Sequence, residues 1–302
     1  MKKRSQHYVW RKYLEPWTTD SLIWCLRNGE RIFRTNPINI GQQSYFYRLN
    51  ELHDEDIQLI HKLFGGSSSI AKQLNEKVIE LFQAPFKAKR FVEKYSDRST
   101  VHNNIFKKLI DETEDEFHTK TEHLGQTYIK EIIGGNFGII QEDNNLKNFL
   151  LFIVIQFTRT KRMQEEVINS NIPATRDQLR RIWPVLRHIL ARNIGGHIWA
   201  NNEDFHFKII ENKSTINFIT TDQPVINTEA ILSGNVYPDT LRMFYPLSPK
   251  TAFLIEPKSD FNSSTLILNE HEIRHYNTLM KEFSYEQVYA KSKEELINLP
   301  GT

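Results

Sequence analysis

The sequence predicts an α+β protein in which a helical middle region packs on a mixed or antiparallel sheet formed by N-terminal and C-terminal strands. Three observations predict it. From residue 70 to about 200, apolar residues recur at helical spacing. After residue 202 the pattern changes to short β-branched or aromatic runs, FHFKII, INFIT, RMFYPL, TAFLI and TLIL, bounded by Asn, Pro and Ser. The first 50 residues carry a hairpin signal, Asn28-Gly29, between two apolar runs. Strands, helices and strands segregated in this order indicate α+β. The chain of 302 residues is read as one domain, with strands in 1–50, a helical region in 51–202, and strands plus a terminal helix in 203–302.

Taken in order, residues 6–17 read as a short aromatic helix stopped by Pro16, and residues 21–35 as a hairpin turning at Asn28-Gly29. Residues 45–49 read as a third strand. Asp54 then begins an amphipathic helix that ends at Gly65-Gly66. Breaks near Pro85, residues 96–100, Gly134-Gly135, residues 143–145 and residues 171–173 divide the middle region into four or five long helices. Asn269 signals the cap of a final helix, with Glu270 and Glu272 in its first turn and apolar positions through Tyr289.

Composition bounds the function. Apolar residues at 39% and aromatics at 12% supply a substantial core. The 39 basic and 37 acidic residues nearly cancel, which excludes a whole-surface electrostatic footprint while leaving local patches open. No apolar stretch of signal-peptide length follows the basic residues 1–4, so a cytoplasmic location is expected. The longest apolar run, 149–155, is far short of the roughly 20 residues that cross a bilayer, which argues against a membrane. The single cysteine, Cys25, excludes an internal disulfide and reads as a packed strand residue.

Three constellations carry candidate chemistry. In QHYVWR, a helix would place His7 and Arg11 on one face beside Trp10, an anion grip with an imidazole able to move protons. In LLFIVIQFTRTKRM, Gln156 lies within the most apolar stretch and Arg159, Thr160, Lys161 and Arg162 follow it, so an amide and guanidinium face could meet a phosphate or carboxylate. In TTDQPV, Asp222 and Gln223 follow a strand and precede Pro224, the exposed end of a ladder. The same residues would serve equally as a structural network tying helix to sheet.

Five motifs in order, QHYVWRKYLEPW, FRTNPINI, QFTRTKRM, FITTDQPVIN and FYPLSPKTAFLI, resemble the bacterial domain of unknown function family 4238 over nearly the whole chain. Trp10 stands where the family's commoner HYVP has proline, and TDQP replaces the more usual SDNP. The resemblance implies a bacterial, cytoplasmic protein and brings no settled activity.

Together these readings point to a bacterial effector of nuclease-like type, in phage defence or a toxin system, acting on RNA, DNA or a nucleotide. His7 would be the acid or base, Arg11 and Arg159 phosphate clamps, and Asp222, with Gln223 beside it, the group that orients His7 or holds a metal. Gln156, Trp10 and Arg162 would complete the substrate contacts. A divalent metal ion is a candidate cofactor. The alternative is a non-catalytic ligand-binding or regulatory module, with a partner protein, in which the polar motifs form a structural network.

Four weaker patterns add candidates. Asp222 with Glu256-Pro257-Lys258 imitates a restriction-type metal core, although proline disturbs the strand. Arg192-Asn193 with His197 is similar to the Arg-Asn-x-x-x-His motif of HEPN ribonucleases. Glu114, His118 and Glu122 fall on one helix face and could bind a divalent metal, although a charge run of this kind reads first as solvated. Lys87, Lys89 and Arg90 with Phe91, and Arg180, Arg181 and Arg187 with Trp183, give basic stretches interleaved with aromatics, as nucleic-acid surfaces do.

Overall fold

The strands assemble into two main sheets, and the N-terminal hairpin joins the C-terminal chain in one of them. The computed structural model describes residues 5–95, 100–233, 240–258 and 265–300. The basic residues 1–4 and residues 96–99 of an expected helix break lie outside them. Asn28 and Gly29 have φ of 54° and 71°, the left-handed geometry that a tight hairpin loop requires. On either side of them β2 (Ile23–Arg27) and β3 (Arg31–Thr35) pair antiparallel. β2 also pairs with β11 (Gln287–Ala290), and β11 with β6 (Thr220–Thr221), giving an antiparallel sheet of order β3-β2-β11-β6. This is the expected sheet of N-terminal and C-terminal strands. Cys25 is buried in β2 opposite Tyr289, and burial pushes its thiol up to about 12, leaving it inert.

The second sheet contains β5 (Phe205–Asn212), β7 (Ile226–Asn227), β8 (Met243–Ser248), β9 (Thr251–Pro257) and β10 (Thr265–Leu268) in the order β10-β5-β9-β8-β7. Only the β10–β5 pair is parallel, so the sheet is mixed. A short ribbon pairs β1 (Ser5–His7) with β4 (Gln42–Ser44).

The helices are α1 (Asp54–Leu63), α2 (Ser69–Tyr95), α3 (Thr100–Ile133), α4 (Asp143–Thr158), α5 (Lys161–Ile168), α6 (Arg176–Ala200), α7 (Thr228–Ser233), α8 (Glu270–Glu282) and α9 (Lys293–Ile297). Every residue from Phe152 to Thr158 of α4 is buried, as a helix apolar all round demands. One side of α4 meets the mixed sheet, with Phe149 edge-on to Phe253 at 5.0 Å and Phe152 at 6.4 Å from Tyr245. Its other sides meet α3 and α6. The next side chain on β8, Phe244, points to the opposite face and stacks on Tyr276 of α8 at 4.2 Å. Helices therefore cover the mixed sheet on both faces, which is why β8 is buried along its whole length.

A 3-10 helix, Arg11–Trp17, joins the two sheets. The Tyr13 hydroxyl donates to the Pro246 carbonyl at 2.7 Å and lies 2.6 Å from Thr220 Oγ1, while Trp17 Nε1 donates to the Phe218 carbonyl at 2.7 Å. These are side chains of the first motif, and they work as a bolt between sheets.

Several expectations are corrected. Residues 6–17 do not form one helix: β1 ends at His7, Trp10 is extended with φ −60° and ψ 122°, and only then does the 3-10 helix begin. His7 and Arg11 thus share no helix face. The strand expected at 45–49 is instead β4, and Tyr45 turns the chain with φ 57°. Pro85 does not break α2, because Phe82 and Phe86 beside it are packed into the helical core. The stretch LLFIVIQFTRTKRM is two helices, since Thr160 caps α5 by accepting from the Met163 amide. The last long helix ends at Glu282, and Tyr289 belongs to β11. Its start is as expected: Asn269 and Glu272 form a reciprocal capping box.

Gly125 of α3 marks the closest approach of α3 to α4, where an added Cβ would overlap the Phe152 ring. Although alanine is the better helix former, Gly125→Ala is expected to lower the unfolding free energy by about 1–3 kcal/mol through overpacking. Urea denaturation checks this, and an unchanged or raised midpoint would contradict the close packing.

Candidate functional site

The three polar motifs come together at the junction of α4 and α5. Arg159, at the C-cap of α4, is buried, and a buried guanidinium must be paired. Its Nη1 donates to Glu122 Oε1 of α3 and its Nη2 to the His7 carbonyl of β1, both at 2.7 Å, and it lies over the Tyr47 ring. The first and second motifs meet here through the main chain of His7. The His7 imidazole is half-buried with Nε2 3.2 Å from the Ile38 carbonyl, and burial lowers its pKa below the ordinary histidine value.

The third motif closes the junction from the other side. Gln223 Nε2 donates to the carbonyls of Phe157, at 3.0 Å, and Val225, at 2.8 Å, and its Oε1 accepts a short hydrogen bond from Thr160 Oγ1. One glutamine thus caps the end of α4 and steadies the start of α5. Asp222 is equally buried. Its carboxylate accepts from the amides of Tyr285 and Glu286 at 2.8 Å and of Gln287 at 3.0 Å, curling the chain between α8 and β11 around it. Burial pushes Asp222 up to about 6 against the opposing pull of those three amides.

What the clamp leaves at the surface is a polar cleft of about 510 Å³ lined by Tyr8, Arg27, Asn28, Gln42, Gln43, Lys161, Glu286 and Gln287. Two of the motifs line it, with Tyr8 from the first and Lys161 from the second, while Asp222 of the third holds the loop that supplies Glu286 and Gln287. The Asn28 hairpin tip is fixed to this loop by its amide donating to the Glu286 carbonyl at 2.8 Å. Lys161 pairs with Glu286 at 2.6 Å, and Gln287 Nε2 donates to the Tyr8 hydroxyl at 3.2 Å. Arg27, Asn28, Gln42 and Gln43 were invisible as site residues in the sequence, because they come from a hairpin and an edge ribbon whose partners lie elsewhere in the chain. The Asn-Gly turn was the one signal for that corner.

The remaining expected site residues are placed as follows. Trp10 is buried and packs edge-on to Phe152 at 6.1 Å. Arg11 is exposed. Arg162 pairs with Glu166 at 2.7 Å, donates to the carbonyls of Glu282 and Ser284, and lies over Phe283 at 4.1 Å, a fastening of α5 to the end of α8. Gln156 is buried and its Nε2 has no hydrogen-bond partner.

The acidic run of α3 is solvated only in part: Glu116 is exposed, but the face that carries Glu114 and His118 turns inward. Glu114 and His118 are buried, and α6 adds Arg187 and His188, while Glu122 goes to Arg159. Arg187 and Trp183, expected on a basic surface, are both buried, and Arg181 makes a bidentate pair with Asp56. Arg192 and His197 are exposed, five residues apart on a continuous α6, and so point roughly 140° apart around its axis. Glu256 sits in the mixed sheet and pairs with Lys208 at 2.6 Å, whereas Asp222 follows β6 in the antiparallel sheet, so the restriction-type core is not assembled.

The fold and site define an α+β protein whose helical layer and sheets are joined by a buried polar network, with one polar cleft where its motifs meet. The chain belongs to the family described as a protein of unknown function, DUF4238, whose model matches residues 5–294. Comparison with curated proteins and with solved structures returns no match. No helix among the described residues is long and apolar enough to cross a membrane.

The Asp222 clamp has a pH signature. A carboxyl raised from 3.8 to about 6 in the folded chain binds its proton more tightly than in the unfolded chain. Its contribution to stability is therefore full below pH 3.8 and is lost as pH rises through about 6. The stability of the wild type relative to Asp222→Asn is expected to fall across this window, measured by urea denaturation at a series of pH values. A difference that stays flat or rises would show that the three amides outweigh burial.

Proposed function

We propose that the protein is a bacterial, cytoplasmic effector of a phage-defence or toxin system that works as a ligand-binding or regulatory module, its cleft holding a nucleotide or the end of a nucleic-acid strand. The observation that supports this reading is one open cleft lined by two of the motifs and by the loop that the third holds. Asp222, Gln223 and Arg159 are spent on internal hydrogen bonds that shape the cleft, and Tyr8, Lys161 and the Glu286–Gln287 loop face it. Its lining offers two cations, Arg27 and Lys161, the second paired with the Glu286 carboxylate that also lines it, and four carboxamides, Asn28, Gln42, Gln43 and Gln287. Cations suit a phosphate, and carboxamides pair with the donor and acceptor edges of a base.

A nuclease-like reading has one observation of its own. His7 lies opposite Gln42 of the cleft lining in the β1–β4 ribbon and next to Tyr8, and burial lowers its pKa, favouring the neutral imidazole that a general base needs. In that reading the bound strand is cleaved, with or without a divalent metal ion.

Calorimetric titration with nucleoside mono-, di- and triphosphates and short oligoribonucleotides tests the first reading. Binding is expected, and Arg27→Ala and Lys161→Ala should each weaken it about tenfold or more, the loss of one charge-assisted contact. Absence of heat with every probe would sink the proposal. For the second reading, wild type and His7→Ala are incubated with RNA and plasmid DNA, with and without magnesium. Equal products from the two proteins would exclude His7 as the proton-transfer group.

A further inference from the structure

Away from the cleft, Glu114 and His118 of α3 converge with His188 of α6 in the interior. His118 Nε2 lies 3.3 Å and His188 Nε2 2.8 Å from Glu114 Oε1, and one ligand atom from each of the three residues falls within 4.8 Å of the others. We propose that these three side chains form a structural site for a divalent first-row transition ion such as zinc, which ties α3 to α6.

Four observations carry it. The residue types are those such ions prefer, imidazole nitrogen and carboxylate oxygen. Two atoms bound about 2.1 Å from one ion are themselves about 3.0–3.4 Å apart; the His118–Glu114 separation of 3.3 Å falls in that range and the His188–Glu114 separation of 2.8 Å just below it, so a small shift of the His188 ring would admit an ion. Glu114 and His118 are four apart on α3, the spacing that puts two ligands on one helix face, and the facing helix supplies the third, as in metal sites built within bundles. Finally, Glu114 Oε2 and His118 Nδ1 are buried without a hydrogen-bond partner, an unusual cost unless something else engages this cluster.

The surroundings prepare the ligands. Burial holds both imidazoles neutral, the form that binds a metal, and it opposes ionisation of Glu114, but Arg187 and the two imidazole hydrogen bonds overcome that and keep the carboxylate charged. Arg187 donates to Glu114 Oε1 and its guanidinium lies 4.6 Å from the Tyr47 ring, so it serves as the outer partner that fixes the carboxylate. Tyr47 packs at a tilt against His118 at 4.3 Å and Phe82 stacks on His188 at 4.7 Å, which locks both rings. All three ligands are buried, so a substrate has no access to the site. Glu122, which shares the helix face, is excluded by its pair with Arg159.

The test uses untagged full-length protein, so that no affinity tag contributes histidines. Metal analysis of the purified protein, followed by chelation and titration with zinc and with cobalt(II), should show stoichiometric uptake, visible cobalt absorption bands of nitrogen and oxygen ligation, and a lower Tm after chelation. His118→Gln, His188→Gln and Glu114→Gln should each lose the bands, while Glu122→Gln should keep them. Wild-type protein that is folded by circular dichroism yet takes up neither ion overturns the proposal, whether or not the variants fold. Uptake that survives all three ligand substitutions overturns it as well.

Discussion

A single guanidinium, that of Arg159, sets the constraint on which the rest of the architecture hangs. Removing a cation from water costs several kcal/mol unless hydrogen bonds and an opposite charge replace the hydration. Arg159 sits at the end of the most apolar helix, where no water reaches, so its partners must come from other segments. They come from Glu122 on α3 and from the His7 carbonyl on β1. The need to pair one charge thereby fixes the N-terminal ribbon against the helical layer, although the two are far apart in the chain.

Around that pair, the polar motifs act as couplers between layers. Gln223 holds the carbonyl end of α4, Asp222 gathers the amides before β11, and Tyr13 and Trp17 bind the two sheets to each other. Each is a buried polar group that bonds to backbone, and Gln223 and Tyr13 add a side-chain partner, Thr160 and Thr220. Such bonds hold position strongly, because leaving a buried amide or carbonyl unmet costs about 1–3 kcal/mol. The cleft is a product of this rigidity: the Asn28 hairpin tip, the β1–β4 ribbon and the Tyr285–Gln287 loop are held at fixed spacing, with Arg27 and Lys161 facing the space between them.

Charge inside the helical layer is balanced along the same seam. Arg159 pairs with the partly buried Glu122 and Arg187 with the buried Glu114, both on α3, and two neutral imidazoles lie against Glu114. The interior is thus polar where α3 meets α6, and the aromatic rings of Tyr47, Phe46 and Phe82 cover the charges rather than water doing so.

Much of the fold was legible because it rests on local rules. The Asn28-Gly29 turn needs a left-handed backbone that few residues accept, Asn269 and Glu272 cap a helix reciprocally, and the apolar stretch of α4 can only be buried. The α+β order followed from those periods alone. What local rules could not give was partnership. His7 and Arg11 were four apart in sequence, but a strand and a 3-10 helix separate them. Glu114 looked solvated because a charge run gives no sign of what packs on it, and Arg187 and His188 were 73 and 74 residues away. Asp222 and Gln223 were recognisable as a motif, yet their bonds to the α4–α5 junction and to residues 285–287 depend on how the sheets stack. The sequence by itself determined which segments are helix, strand and turn, since backbone geometry and periodicity are local. Only the tertiary structure decided which polar groups are consumed in pairing and which face the cleft, because the cost of burying a charge is set by whatever neighbour the fold brings to it.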